Sequence, residues 1–238
     1  VVESLPSRSL LEMTRKRGLG QTRFTMNPIA ALPGRRFVRF ERSERPSLSE
    51  DKAGDPSQIA AYRVVSAQTI CGEPCGLAAG DRIWRVECSD TMEENSSRGG
   101  LVWEGVTTHL QYTDASERSE LLAMSAAPRL GHVVIIPISK SAAWWALAQD
   151  ERQAFFRKGP RSEGHTRIGM TVADRIFRRL FHARYQPHSA WDFLTYFEFA
   201  DADADAFREV LTHLRNPERN PEWGYVVRES EIWMRREI

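Results

Sequence analysis

Lysine is nearly missing from this 238-residue chain: Lys16, Lys52, Lys140 and Lys158 are the only ones, and arginine carries the rest of the basic charge. The bias reads as compositional, yet it makes a lysine beside a functional motif worth following. Net charge is scarce too, at +1, which removes the electrostatic case for a nucleic-acid partner. Apolar runs such as VVIIPI (133–138) fall far short of a membrane span. Three cysteines make no disulfide framework. Cys71 and Cys75 sit in ICGEPC, spaced more loosely than a zinc knuckle or redox pair, so reduced thiols are the simpler reading. Residues 1–35 are rich in Arg and Ser and lack an apolar h-region, so they do not read as a secretory signal. That leaves the cytoplasm as the expected compartment. The chain opens on Val, with Met13 and Met26 as alternative starts, and 1–35 is expected to be a disordered extension.

What remains is ordinary for a globular protein: 41% hydrophobic and 27% charged residues, enough chain for one large domain or two small ones. Two polar stretches, 41–57 and 89–100, read as loops. Between them AYRVVSAQ and DRIWRVEC are short β-like runs. After Gly100, LVWEGVTTHLQY reads as a strand, DASERSELLAMS as a helix capped at Asp114 or Ser116, and GHVVIIPIS as a buried strand. KSAAWWALAQDERQAFF reads as one helix with Ser141 as its N-cap. A third helix begins near Glu163 or Gly164. RIFRRLFHARY and WDFLTYFEFA read as two strands joined at QPHS, ADADADAFREVLTHLRN as a helix, and NPEWGYVVRESEIWMRR as a final long strand. The order predicts an α+β fold of two ferredoxin-like repeats, antiparallel sheets flanked by helices. Residues 36–99 would form the N-terminal part, with polar loops, and 100–238 the second.

The stretch SEGHTRIGMTVADRIFRRLFHARY (162–185) carries the chemistry. On one straight helix His165 and Arg178 would stand about 20 Å apart along the axis. The pattern turns β-like at Ile176, so the helix is expected to stop near Asp174. On the following strand Arg178, Leu180 and His182 share one face, and Phe193, Thr195, Phe197 and Phe199 share one face of its partner. Where those faces coincide they make an apolar floor with one arginine and one hydroxyl. A lone arginine there is costly unless it meets an anion. His182 and His188 compete with His165 as candidates, so spacing alone supports a haem or anion site and no more.

Four segments, PISKSAAWWALAQDERQAFF, GHTRIGMTVADRIFRRLFHARY, WDFLTYFEF and PEWGYVVRESEI, together resemble the chlorite dismutase family of haem b proteins, and its short, dimeric lineage in particular. The likeness runs from Gly100 to the C-terminus and is weak over 36–90. It implies a dimeric α+β barrel type of fold, with 100–238 as the haem-binding part. His165 matches the iron ligand, and Glu222 the carboxylate that accepts a hydrogen bond from its imidazole. Arg178 matches the distal arginine; Leu180, Thr195 and Phe197 match other distal-pocket positions. Lys140, Tyr112 and Trp144 match residues near the haem propionates, and Trp145 an adjacent pocket tryptophan. Plainer readings stand beside these: Trp144 and Trp145 as core or interface aromatics, Lys140 as a solvated residue, Glu222 as a turn cap. The loop RKGPRSEG is longer than in the short members, which bears on access to the haem.

The implied activity is conversion of chlorite to chloride and dioxygen through a ferryl intermediate, with Arg178 holding the oxyanion. The implied partners are chlorite or another small oxyanion and a second copy of the chain, with no nucleic acid or membrane. Rival readings on the same fold are a haem peroxidase, a coproporphyrin-haem decarboxylase, a non-catalytic haem-binding protein and a cofactor-free barrel. Arg178 counts against the decarboxylase, where glutamine is the usual residue, and the His165–Glu222 pairing counts against a cofactor-free protein.

Overall fold

Strand pairing decides this architecture. The computed structural model describes residues 37–45, 59–88, 100–107, 131–159, 162–186 and 189–237. Eight strands among them close into a barrel: β1 (Phe37–Arg42), β2 (Ile59–Cys71), β3 (Arg82–Cys88), β4 (Leu101–Thr107), β5 (His132–Lys140), β6 (Phe177–His182), β7 (Phe193–Phe199) and β8 (Val226–Arg236). Their order around the barrel is β1-β3-β2-β8-β5-β7-β6-β4, and each pair is antiparallel. Closure leaves these strands no open edge. The order contains one pattern twice, β4-β1-β3-β2 and β8-β5-β7-β6. β4 therefore takes its place among the first four strands although it lies past Gly100. β1, FVRFER, went unread in the sequence, and the helix expected at 114–124 lies outside the described residues, as does 1–35.

Both faces of β5 and β7 are buried, which is why they read as near-continuous apolar runs rather than alternating ones. Val133, Ile135, Leu194 and Tyr196 point into the barrel with Val38, Phe40, Tyr62 and Ile232. Val134, Ile136, Phe197 and Phe199 point outward, under α3 (His165–Met170) and α4 (Ala204–Leu214). From α4, Phe207, Val210 and Leu211 form the buried stripe that its helical spacing predicts.

Local breaks correct three sequence readings. The helix expected over 140–156 is two: α1 (Ala142–Ala146), capped by Ser141, and α2 (Gln149–Ala154). Leu147 and Ala148 are extended between them. The break has a packing reason. Trp144 and Phe155 would lie about 16 Å apart on a continuous helix, whereas their ring centroids meet at 5.7 Å. Before β7 the chain turns earlier than QPHS suggests: Gln186 N–H bonds to the Ala183 carbonyl, and Ala183 N–H to that of Asp192. Finally, NPEWGY does not extend β8; Pro221–Tyr225 forms a 3₁₀ turn with Pro at its start. No helix among the described residues is long and apolar enough to cross a membrane.

Candidate functional site

Between the outer face of β5–β7–β6 and the two helices above it lies a cavity of ≈ 210 Å³. Register builds its floor: β6 and β7 pair Arg178 with Phe197 and Leu180 with Thr195, and β7 and β5 pair Thr195 with Ile136. Arg178, Leu180, Thr195, Phe197, Ile136 and Ile138 all line the cavity, so the two strand faces expected from alternation do coincide. The third pair of that face, His182 and Phe193, lies beyond the cavity wall with its rings in edge contact at 4.9 Å.

His165 opens α3 and lines the cavity from the helical side. Gly164, with φ of 80°, sets that start, because a Cβ there would come within 2.4 Å of the Arg157 carbonyl carbon. The tight approach lets His165 N–H reach the Phe155 carbonyl at 3.2 Å. One turn on, Gly169 faces the same cavity, and a Cβ built there meets nothing within 4 Å.

The 3₁₀ turn brings Glu222, 5% exposed, to the other side of the imidazole. Its Oε2 lies 2.5 Å from His165 Nδ1 and its Oε1 2.5 Å from Lys140 Nζ. Burial works to raise the Glu222 pKa, but the charges of Lys140 and His165 and the hydrogen bonds from both outweigh it, holding the carboxyl well below its ordinary range. An ionised Glu222 accepts the Nδ1 proton, which leaves Nε2 as the nitrogen turned to the cavity. That nitrogen has no partner among the described residues. Across the cavity, Arg178 is equally without a hydrogen bond or ion pair among them. Its side chain is exposed toward the open space of the cavity, so the lowering that the surrounding protein exerts on its pKa, partly offset by Glu222, is eased by solvent, and the group stays cationic.

No protein-family model matches the sequence. Solved structures do. The dimeric chlorite dismutase from Nitrobacter winogradskyi is 26% identical over 83% of this chain and 99% of its own, with a TM-score of 0.62. A substituted chlorite dismutase from Candidatus Nitrospira defluvii is 21% identical over 84% and 90%, with a TM-score of 0.56. The chain has the fold of the chlorite dismutases.

On the chlorite dismutase fold, the residues singled out in the sequence sort by their distance from the cavity. His165, Glu222 and Lys140 form one hydrogen-bonded unit, and Arg178, Leu180, Thr195 and Phe197 form the facing floor. Lys140 lines the cavity, turns its ammonium to Glu222 and lies buried, which excludes the reading of it as a solvated residue. Trp144 is a layer back: its ring meets Phe156 at 6.3 Å, and Phe156 meets His165 at 5.2 Å. Trp145 points elsewhere, hydrogen-bonded to Asp192 and stacked on Phe193, with the Arg184 guanidinium 4.0 Å from its ring centroid. Tyr112 and His188 lie outside the described residues. Sequence reasoning missed Phe156, Gly169 and the cluster of Arg215 with Glu229 and Glu231, whose contacts are 2.5 and 2.6 Å. Gly169 was findable, four residues after His165 on the same helical face; the acidic cluster depends on how α4 docks on β8.

The residues present suit a haem. His165 Nε2 would hold the iron, a carboxylate holds the imidazole's tautomer, apolar walls flank it, and Gly169 leaves open space beside it.

Proposed function

We propose that the chain binds haem b through His165 Nε2 and converts chlorite to chloride and dioxygen. One observation carries this reading: an imidazole nitrogen and an arginine, both without a partner among the described residues, share one largely apolar cavity. When bound, haem supplies the redox chemistry at chlorite's oxygens. The chain does the rest. Glu222 fixes the imidazole and makes it a stronger donor, and Lys140 holds Glu222 in place. Arg178 offers directed N–H donors and a positive charge to a small oxyanion, beside the apolar side chains of Leu180 and Phe197 and the single hydroxyl of Thr195. The dimeric state of the Nitrobacter winogradskyi protein supports a homodimer here, and the twice-repeated strand order supports two ferredoxin-like halves.

The test is dioxygen release, by electrode, from haem-loaded protein given chlorite. Wild type should give a rapid burst, and Arg178→Ala should keep its Soret band while losing about 100-fold of the rate, the usual cost of removing a donor from a developing anion. His165→Ala should not retain haem. Bound haem with no oxygen from wild type would move the reading to a peroxidase or a haem-handling protein.

A further inference from the structure

The barrel interior holds a hydrogen-bonded tyrosine pair that plays no part in the chemistry above. Tyr62 of β2 and Tyr196 of β7 are 1% and 0% exposed, and their hydroxyl oxygens lie 2.9 Å apart. Tyr196 donates its O–H to Glu198 Oε1. The Tyr196 oxygen is then left to accept from Tyr62, so the protons run in one direction: Tyr62 to Tyr196 to Glu198. Tyr196 also stands close to the cavity. Its chain neighbours Thr195 and Phe197 both line it, so the phenol ring lies on the opposite face of the same strand, one strand's thickness behind the wall.

Resting on the haem reading, we propose that Tyr196 is the electron donor that takes up a stray oxidising equivalent from the cavity when no productive substrate is bound. The balance is simple. Hydrogen peroxide takes two electrons and two solvent protons to become two waters; a bound haem would supply one electron and Tyr196 the other. The phenolic proton passes to Glu198, leaving a neutral tyrosyl radical and a carboxylic acid. A hydrogen atom from Tyr62 can then move the radical one ring further from the cavity.

Trp144 is the natural competitor, linked to His165 through Phe156. Both rings carry a cation at 4.9 Å, Lys140 over Trp144 and Arg85 over Tyr196, and each cation is paired with a glutamate. Charge therefore does not separate them. The proton does. Trp144 Nε1 is buried with no acceptor among the described residues, so its oxidation would leave a charged radical in the core, which burial disfavours. Tyr196 has a carboxylate already in place.

The experiment is electron paramagnetic resonance on the haem-loaded full chain, frozen shortly after hydrogen peroxide is added without chlorite. The expected signal is an organic radical that narrows when the protein is made with ring-deuterated tyrosine, which requires no variant. Tyr196→Phe, which keeps the ring and its packing, should abolish it, and Tyr62→Phe should alter its line shape while leaving it present. A signal insensitive to tyrosine deuteration, or one that survives Tyr196→Phe, overturns the proposal. So does a Soret band that responds to peroxide with no radical. Failure to form a Soret band at all would instead sink the haem reading.

Discussion

Glu222 accepts from two donors at once, Lys140 and His165, and that makes it a sensitive residue. It is buried and ionised between Lys140 and His165, so removing its charge leaves the Lys140 ammonium buried without compensation. Glu222→Gln is therefore expected to destabilise the haem-free protein by about 3 kcal/mol, in the range found when one partner of a buried pair is deleted. Lys140→Met combined with Glu222→Gln should recover part of that loss, since no unpaired charge remains. Urea unfolding of the two single variants and the double checks this; a double variant no more stable than Glu222→Gln would mean that Lys140 is not the partner at stake. The sequence made the floor of the site legible because Arg178, Leu180, Thr195 and Phe197 obey a period of two on consecutive strands that pair as neighbours. The partner of Lys140 was not legible. It lies 82 residues away, and nothing local announces a contact that depends on a 3₁₀ turn meeting the end of β5.

Among the elements, α3 is short, and its two glycines do opposite work. Gly164 has positive φ and no room for a Cβ, so its replacement shifts the start of the helix; Gly169 has a helical backbone and open space. Gly164→Ala should lower the melting temperature of the haem-free protein by several degrees, following a strain of about 1–3 kcal/mol, and weaken haem binding by displacing His165. Gly169→Val should leave the melting temperature close to wild type, because valine is the better helix former, and weaken haem binding alone by filling the cavity. Calorimetry and haem titration of both variants separate the two effects; equal haem affinity in Gly169→Val and wild type would remove the cavity from the argument. Element types were largely readable from periodicity, as α4 and the β6–β7 pair show. Boundaries were less so, where tertiary contacts override local preference: Leu147 and Ala148 have ordinary helix-compatible identities, yet the chain extends there so that Phe155 can reach Trp144.

At the scale of the whole molecule, the barrel is tied across its interior by groups that no stretch of sequence could pair in advance. Tyr62 belongs to the first four strands and Tyr196 to the last four, and they meet hydroxyl to hydroxyl beside Glu198 and Arg85. Burial, foremost, raises both phenol pKa values, opposed by Arg85 and reinforced by the negative charge of Glu198. Folding then depends on pH in a definite direction. Below the unfolded tyrosine pKa of about 10, both states hold the phenolic protons and the contribution is fully present. Above it the unfolded chain releases those protons while the folded chain keeps them, so the folded state binds more protons and stability falls as pH rises. Tyr62→Phe removes one such group and one hydrogen bond worth about 1 kcal/mol. At pH 8 the variant should melt below wild type. Between about pH 10 and 11 the wild-type melting temperature should fall faster and the gap should narrow, because only wild type has that proton to lose on unfolding. A gap that stays constant or widens across this range would mean the pair is not held protonated by the barrel.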